Sequence, residues 1–89
     1  MKIDGGLYLD LDSAPAVAAS LERAGYDGVW TAEMATNPFF PLLRAAESTT
    51  TVDLGTSIAV AFARNPMDMA VMANDLQRFS KGRFILGLG

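Results

Sequence analysis

The sequence predicts an α/β fold in which successive strand–helix units build a parallel sheet. Short apolar, β-rich segments alternate with longer stretches whose apolar residues recur at helical spacing. We predict four strands and three helices. The pair Asn37-Pro38 recurs as Asn65-Pro66, 28 residues later, which is close to the length of a βαβ unit. This repeat is compatible with an open doubly wound sheet and with a closed (β/α) barrel.

The first predicted unit is a strand near Ile3 to Leu11 followed by a short helix. Ser13 stands at the capping position, because a serine oxygen can accept a hydrogen bond from an unpaired amide of the first turn. Pro15 lies in that turn, where its missing N–H removes no intrahelical bond. Gly25 is the residue type that most readily ends a helix. Helical spacing predicts a buried face with Val17, Leu21 and Ala24.

The second predicted strand, Val29 to Ala32, is followed directly by Glu33 and Met34. Parallel α/β folds bind ligands at the carboxyl ends of their strands, so Glu33 is a candidate site residue. It could orient a substrate, hydrogen-bond a cofactor, or act as an acid with a raised pKa. The alternative is a solvated loop or cap residue. Asn37-Pro38 then begins the second helix, with the asparagine oxygen as acceptor.

The third predicted helix begins at Asn65-Pro66, continues through Phe79 and ends at Lys81-Gly82. Before it lies a strand of small residues, Gly55 to Ala61, which lets another group approach the backbone closely. That group is either a ligand ring or the larger side chains of ordinary barrel layering. The fourth strand, Arg83 to Gly89, is apolar and needs cover along its edge.

Acidic residues follow the first predicted strand. Asp10 and Asp12 would point to the same side if the strand continued, but no third metal ligand accompanies them, so we predict turn and helix-start roles and no metal site. An open flavodoxin-like domain would place a phosphate loop here, and an acidic turn does not suit an anion. Gly87-Leu88-Gly89 begins like a glycine-rich phosphate loop but lacks the third glycine and the helix.

Composition excludes several classes of function. The chain is 51% hydrophobic and 19% charged, with Lys+Arg 7 against Asp+Glu 10 and a net charge of -3. No basic cluster is present that could follow phosphates, so we predict no binding to nucleic acid. Cysteine and histidine are absent, which removes disulfides, thiolate metal sites and the commonest general base. No apolar run approaches the ~20 residues of a membrane span, and we expect a cytoplasmic protein.

Three stretches resemble the bacterial-luciferase-like monooxygenase superfamily. They run from Leu21 to Trp30, from Leu54 to Pro66 and from Asp75 to Gly89, and together they cover most of the chain. Within the superfamily the sequence is most similar to the branch that uses the deazaflavin coenzyme F(420). The users of flavin mononucleotide (FMN) form the neighbouring branch.

The resemblance implies a (β/α)8 TIM barrel with the cofactor ring at its carboxyl-terminal mouth. A bulge on the third strand, containing a non-proline cis peptide at Ser57-Ile58, would back the ring, and Ser57, Ile58 and Ala59 would bind the cofactor. Several sugar- and alcohol-oxidising relatives place a carboxylate followed by a histidine at the end of the second strand. Here these positions are Glu33 and Met34, so Glu33 is the predicted catalytic residue and an alcohol-deprotonating histidine is absent. The implied reaction is hydride transfer between the cofactor and a small organic substrate.

The expected extent is the N-terminal half of such a barrel, because a complete one takes roughly 250 residues. We expect the 89 residues to be inactive alone. A C-terminal half, or further copies of the chain, would complete the sheet. The alternative is a non-enzymatic α/β module that folds by self-association.

Overall fold

The computed structural model describes residues 1–8 and 10–89, which form one parallel sheet with helices between its strands. The strands follow one another across the sheet in chain order. A doubly wound sheet reverses this order, whereas a barrel does not, so the described chain has barrel topology. The elements are β1 (Asp4–Gly6), α1 (Ala14–Arg23), β2 (Gly28–Thr31), α2 (Phe39–Ser48), β3 (Asp53–Thr56), α3 (Pro66–Phe79) and β4 (Phe84–Ile85).

The core lies between the helices and one face of the sheet. Alternate strand residues point into it, so that Val29, Leu54 and Phe84 are buried and pack against the helices. From the helices, small and large side chains contribute in turn, with Ala14, Ala18, Phe39, Leu42 and Ala45 all buried. None of the helices in the described part of the chain is long and apolar enough to cross a bilayer.

Three strands are shorter than predicted. β4, predicted from Arg83 to Gly89, spans only Phe84–Ile85. β1 ends at Gly6 rather than near Leu11, although the Leu7 N–H still donates to the Trp30 carbonyl at 2.8 Å. Within the predicted strand, Leu9 lies outside the described residues, and Leu11 lies in a turn. β3 ends at Thr56, and the run to Ala61 continues only as an isolated bridge between Ala59 and Leu88. The small residues of this run therefore form a loop at the end of the sheet.

The helix ends agree with most predicted signals. The Asn65 side chain accepts from the Met67 N–H at 2.8 Å, and Asn37 accepts from the Phe39 N–H at 2.7 Å, so both asparagines cap their helices. Gly25 and Gly82 end helices with φ of 93° and 86°. Ser13 does not cap α1, because its backbone is helical, with φ of -90° and ψ of -13°, whereas a capping residue is extended. Ala24, predicted in the buried face, is exposed.

The opposite face of the sheet is built around Trp30, which fills the space that Gly55 leaves on the neighbouring strand. A Cβ added at Gly55 would overlap the indole ring, so we expect Gly55→Ala to lower the free energy of unfolding by about 1.5 kcal/mol. Gly6→Ala is the matched control, because its added Cβ meets the Tyr8 ring, which is 67% exposed and can move aside. Thermal unfolding, monitored by circular dichroism, measures the loss of stability in both variants. Equal losses would contradict this account.

Candidate functional site

The segment Ser57–Ala59 forms a backbone bulge directly after β3, at the carboxyl end of the sheet. Its Ser57-Ile58 peptide is cis, as the sequence resemblance implies. Ser57 is exposed, the Ile58 side chain is 42% exposed, and Ala59 is fully buried. The bulge therefore offers a ligand one hydroxyl and one apolar side chain, and Ala59 supports them from behind.

Hydrogen bonds from both neighbouring strands hold this bulge. On the β2 side, the Ser57 N–H donates to the Thr31 carbonyl at 2.6 Å and the Glu33 N–H donates to the Ile58 carbonyl at 3.1 Å. On the β4 side, the Ala59 N–H donates to the Gly87 carbonyl at 2.8 Å, and its carbonyl accepts from the Gly89 N–H at 3.1 Å. The main chain of the bulge is thus paired on each side.

Glu33 adds a side-chain connection to the loop that leaves the bulge. Its Oε1 accepts from the Val60 N–H at 2.7 Å and from Arg64 Nη1, and its Oε2 accepts from Arg64 Nη2 at 2.7 Å. Arg64 Nη1 also donates to the Val60 carbonyl at 3.0 Å, and the guanidinium lies 5.2 Å from the centroid of the Phe39 ring. The two side chains form a bidentate ion pair that is mostly shielded from solvent.

This geometry decides the ionisation of Glu33. The Arg64 hydrogen bonds lower the pKa of the Glu33 carboxyl, partial burial raises it, and the Val60 N–H lowers it further. The net shift is downward, so the carboxyl stays ionised, and the predicted option of an acid with a raised pKa is wrong. Glu33 is placed to position the bulge through Val60. Its predicted catalytic role, and the contact of Ser57, Ile58 and Ala59 with a cofactor, stay predictions.

Arg64 is the site residue that we did not assign from the sequence. A signal was present, because the loop after the third strand carries this arginine and the loop after the second carries Glu33. The carboxyl ends of adjacent parallel strands meet at one edge of the sheet, where opposite charges can pair.

Asp10 has the predicted turn role. Its Oδ1 accepts from both the hydroxyl and the N–H of Ser13, and these bonds lower the pKa of the Asp10 carboxyl. Within residues 1–8 and 10–89, acidic side chains do not gather in any group that could hold a metal ion.

A shallow cavity of about 370 Å³ lies beside the bulge, on the open face of the sheet. Ser57 stands at its edge, and Trp30 and Tyr8 form its walls. The Trp30 Nε1 is buried, and no described residue accepts a hydrogen bond from it.

Comparison with known proteins identifies the family to which this sequence is similar. A family model described as luciferase-like monooxygenase matches residues 3–89. An uncharacterised protein from Mycobacterium tuberculosis is 57% identical over 89 residues, which are 100% of this chain and 26% of that protein. Another protein from the same organism, with the provisional name of coenzyme F(420)-dependent oxidoreductase, is 43% identical over 74 residues, or 82% of this chain and 21% of its own length. The chain thus spans about a quarter of the length of these relatives.

Solved structures show the same fold. A monooxygenase from Streptomyces bottropensis has a TM-score of 0.91 at 22% identity, over 100% of this chain and 33% of its own. The oxygenating constituent of 3,6-diketocamphane monooxygenase from Pseudomonas putida, in complex with FMN, has a TM-score of 0.90 at 21% sequence identity. The match covers 100% of this chain and 29% of that protein chain. The coenzyme F(420)-dependent tetrahydromethanopterin reductase from Methanopyrus kandleri has a TM-score of 0.85 at 23% sequence identity. The match covers 100% of this chain and 26% of that protein chain. The predicted fold class, the N-terminal part of a TIM-barrel-like fold, is confirmed.

Proposed function

This chain belongs to the luciferase-like monooxygenase family, and we propose that it forms the cofactor-backing part of an oxidoreductase that uses coenzyme F(420) or FMN. The observation that carries the proposal is the paired bulge after β3, which presents Ser57 and Ile58 at the carboxyl end of a barrel-ordered sheet. Substrates and cofactors of such barrels bind at that end.

The residues present suit a flat heterocyclic ring. Ile58 offers an exposed apolar surface, Ser57 is exposed, and the Trp30 side chain lines the cavity beside them. A deazaflavin or flavin supplies hydride chemistry when it is bound. In this proposal Ser57 and Ile58 contact the ring, Ala59 supports the bulge, and Glu33 positions it through Val60.

The reaction proposed is hydride transfer between the cofactor and a small organic substrate. Two observations limit the part that this chain plays in moving protons. Glu33 is ionised and held by Arg64, and Met34, in the position where relatives place a histidine, cannot accept a proton. The contribution of these residues is therefore alignment.

Completion of the site requires further strands, because the sheet described has four and the barrel needs eight. We propose that the rest of a longer polypeptide, or a second copy of this chain, supplies them, and that the protein works in the cytoplasm.

A titration of the chain with FMN and with coenzyme F(420), followed by cofactor fluorescence, tests the proposal. We expect Ile58→Asp to weaken binding about tenfold, because it places a charge and its hydration shell against an apolar ring. Ile3→Asp is the matched control, since Ile3 is 56% exposed at the opposite end of the sheet. Equal affinities for the two variants would favour the non-enzymatic module instead.

A further inference from the structure

A separate cavity of about 460 Å³ opens at the carboxyl ends of β1 and β2. Its lining is largely apolar and includes Leu7, Pro38 and Pro41, with Tyr8 and Met34 at the rim. The volume is in the range of small-molecule sites, and the position is the end of the sheet where barrel ligands bind. We call it the β1–β2 cavity.

Three polar residues of the β1–β2 cavity have partners within the protein. The Thr31 hydroxyl donates to the Pro38 carbonyl at 2.8 Å, and the Asn37 side-chain oxygen accepts from the N–H of Phe39 at 2.7 Å. Asp10 accepts from the Ser13 N–H at 2.9 Å. Because these groups serve the turns that shape the cavity, an incoming molecule meets mainly apolar surface. The carboxylate of Asp10 also disfavours an anion.

Tyr8 connects this cavity to the bulge. Its side chain lines both the β1–β2 cavity and the smaller cavity that contains Ser57. It is 67% exposed, and Met34 is 87% exposed. A molecule in the β1–β2 cavity would therefore lie next to the proposed ring position, with Tyr8 between the two spaces.

We propose that the β1–β2 cavity binds the apolar part of an uncharged substrate, and that Tyr8 and Met34 determine its specificity. The assignment as a substrate site rests on the proposed function. The preference for an uncharged apolar molecule rests on the lining alone. Apolar contact area supplies the binding, and an anionic substrate would lose its hydration beside the Asp10 carboxylate without compensation.

The test uses the chain labelled with ¹³C at its methionine methyl groups and three probes with the same ring. These are cyclohexanone, cyclohexanecarboxylate and cyclohexylammonium. We expect cyclohexanone to shift the Met34 methyl resonance saturably and to bind about fivefold more tightly than cyclohexanecarboxylate, with cyclohexylammonium, which the Asp10 carboxylate attracts, between the two. The Met67 resonance is the internal control, because Met67 is 71% exposed on α3. Met34→Glu and, separately, Tyr8→Ala should each weaken cyclohexanone binding about fivefold, and Met67→Glu should not.

The outcomes separate this inference from the proposed function when FMN and coenzyme F(420) are titrated in parallel. Cyclohexanone binding at Met34, together with equal cofactor affinities of Ile58→Asp and Ile3→Asp, would support the apolar preference and count against the proposed function. Cofactor binding with no shift at Met34 would overturn the inference alone. Equal or tighter binding of either ion, or an unchanged affinity in Met34→Glu and Tyr8→Ala, would also overturn it.

Discussion

Replacing Glu22 with glutamine is expected to lower the free energy of unfolding by about 2 kcal/mol at pH 7. The Glu22 carboxylate on α1 reaches the turn that connects α2 to β3. It accepts hydrogen bonds from the N–H groups of Thr50, Thr51 and Val52, at 2.7 to 3.2 Å, and from the Thr51 hydroxyl at 3.0 Å. A neutral amide oxygen keeps part of this contact but loses the charge that strengthens each bond.

The pH dependence of this effect follows from the ionisation of Glu22. Burial raises its pKa, but the bonds from Thr51, Thr50 and Val52 outweigh burial and lower the pKa from 4.5 to about 2. Because the folded-state pKa is depressed, the stabilisation is complete above the unfolded-state value and is lost as the pH falls through the folded-state value. We therefore expect the loss of stability between about pH 5 and pH 2 to be shallower in the glutamine variant.

Urea unfolding at pH 7 and at pH 3, followed by the fluorescence of the single tryptophan, measures both expectations. Glu47→Gln is the control, because Glu47 is exposed on α2. We expect that variant to lie within about 0.5 kcal/mol of the parent chain at pH 7. If Glu22→Gln matched the control at pH 7 and kept the full pH dependence, the turn would not depend on this carboxylate.

The helix ends show which part of the structure could be predicted from the sequence. Asn37, Asn65 and Gly82 act within a few residues of their own position, so local patterns were enough to predict their roles. The fold class followed from the order of such local elements. Ser13 failed as a cap because its backbone is already helical, and residue type alone does not fix the backbone angles of a capping position.

Contacts between distant segments were not predictable in the same way. Glu22 reaches a turn 28 to 30 residues away, and Arg83 approaches that turn from the other side, where Nη1 donates to the Thr49 hydroxyl at 2.9 Å and to the Val52 carbonyl at 3.0 Å. Such partners depend on how helices and strands pack, which a single sequence does not reveal. The location of the candidate site was predictable because parallel strands share one carboxyl edge, whereas its pairing with Arg64 depended on tertiary contacts.

Arg64→Leu is expected to lower the free energy of unfolding by about 3 kcal/mol, the largest effect of any substitution proposed for this chain. The Arg64 and Glu33 side chains are only 15% and 19% exposed, so the loss of the guanidinium leaves a shielded carboxylate without its counter-charge. Glu33 then keeps the Val60 N–H but loses two charge-assisted bonds, and Phe39 loses its cation contact. Urea unfolding measures the loss, and Arg78→Leu, at an exposed position of α3, is the control.

The double variant Glu33→Gln/Arg64→Leu separates this ion pair from simple packing. Because it removes both charges, we expect it to be more stable than the two single losses predict, with a coupling energy of about 2 kcal/mol. The stability of Arg64→Lys should lie between the stabilities of the parent chain and Arg64→Leu, since an ammonium keeps the charge but not the two parallel bonds or the stacking on Phe39.

Hydrogen exchange at the Val60 N–H supplies the readout for the bulge, because that group donates to Glu33. Faster exchange at Val60 in Arg64→Leu, with unchanged exchange in β1, would show that the pair positions the bulge. Additive losses and unchanged exchange at Val60 would mean that Ser57–Ala59 keeps its conformation through main-chain pairing with β2 and β4 alone.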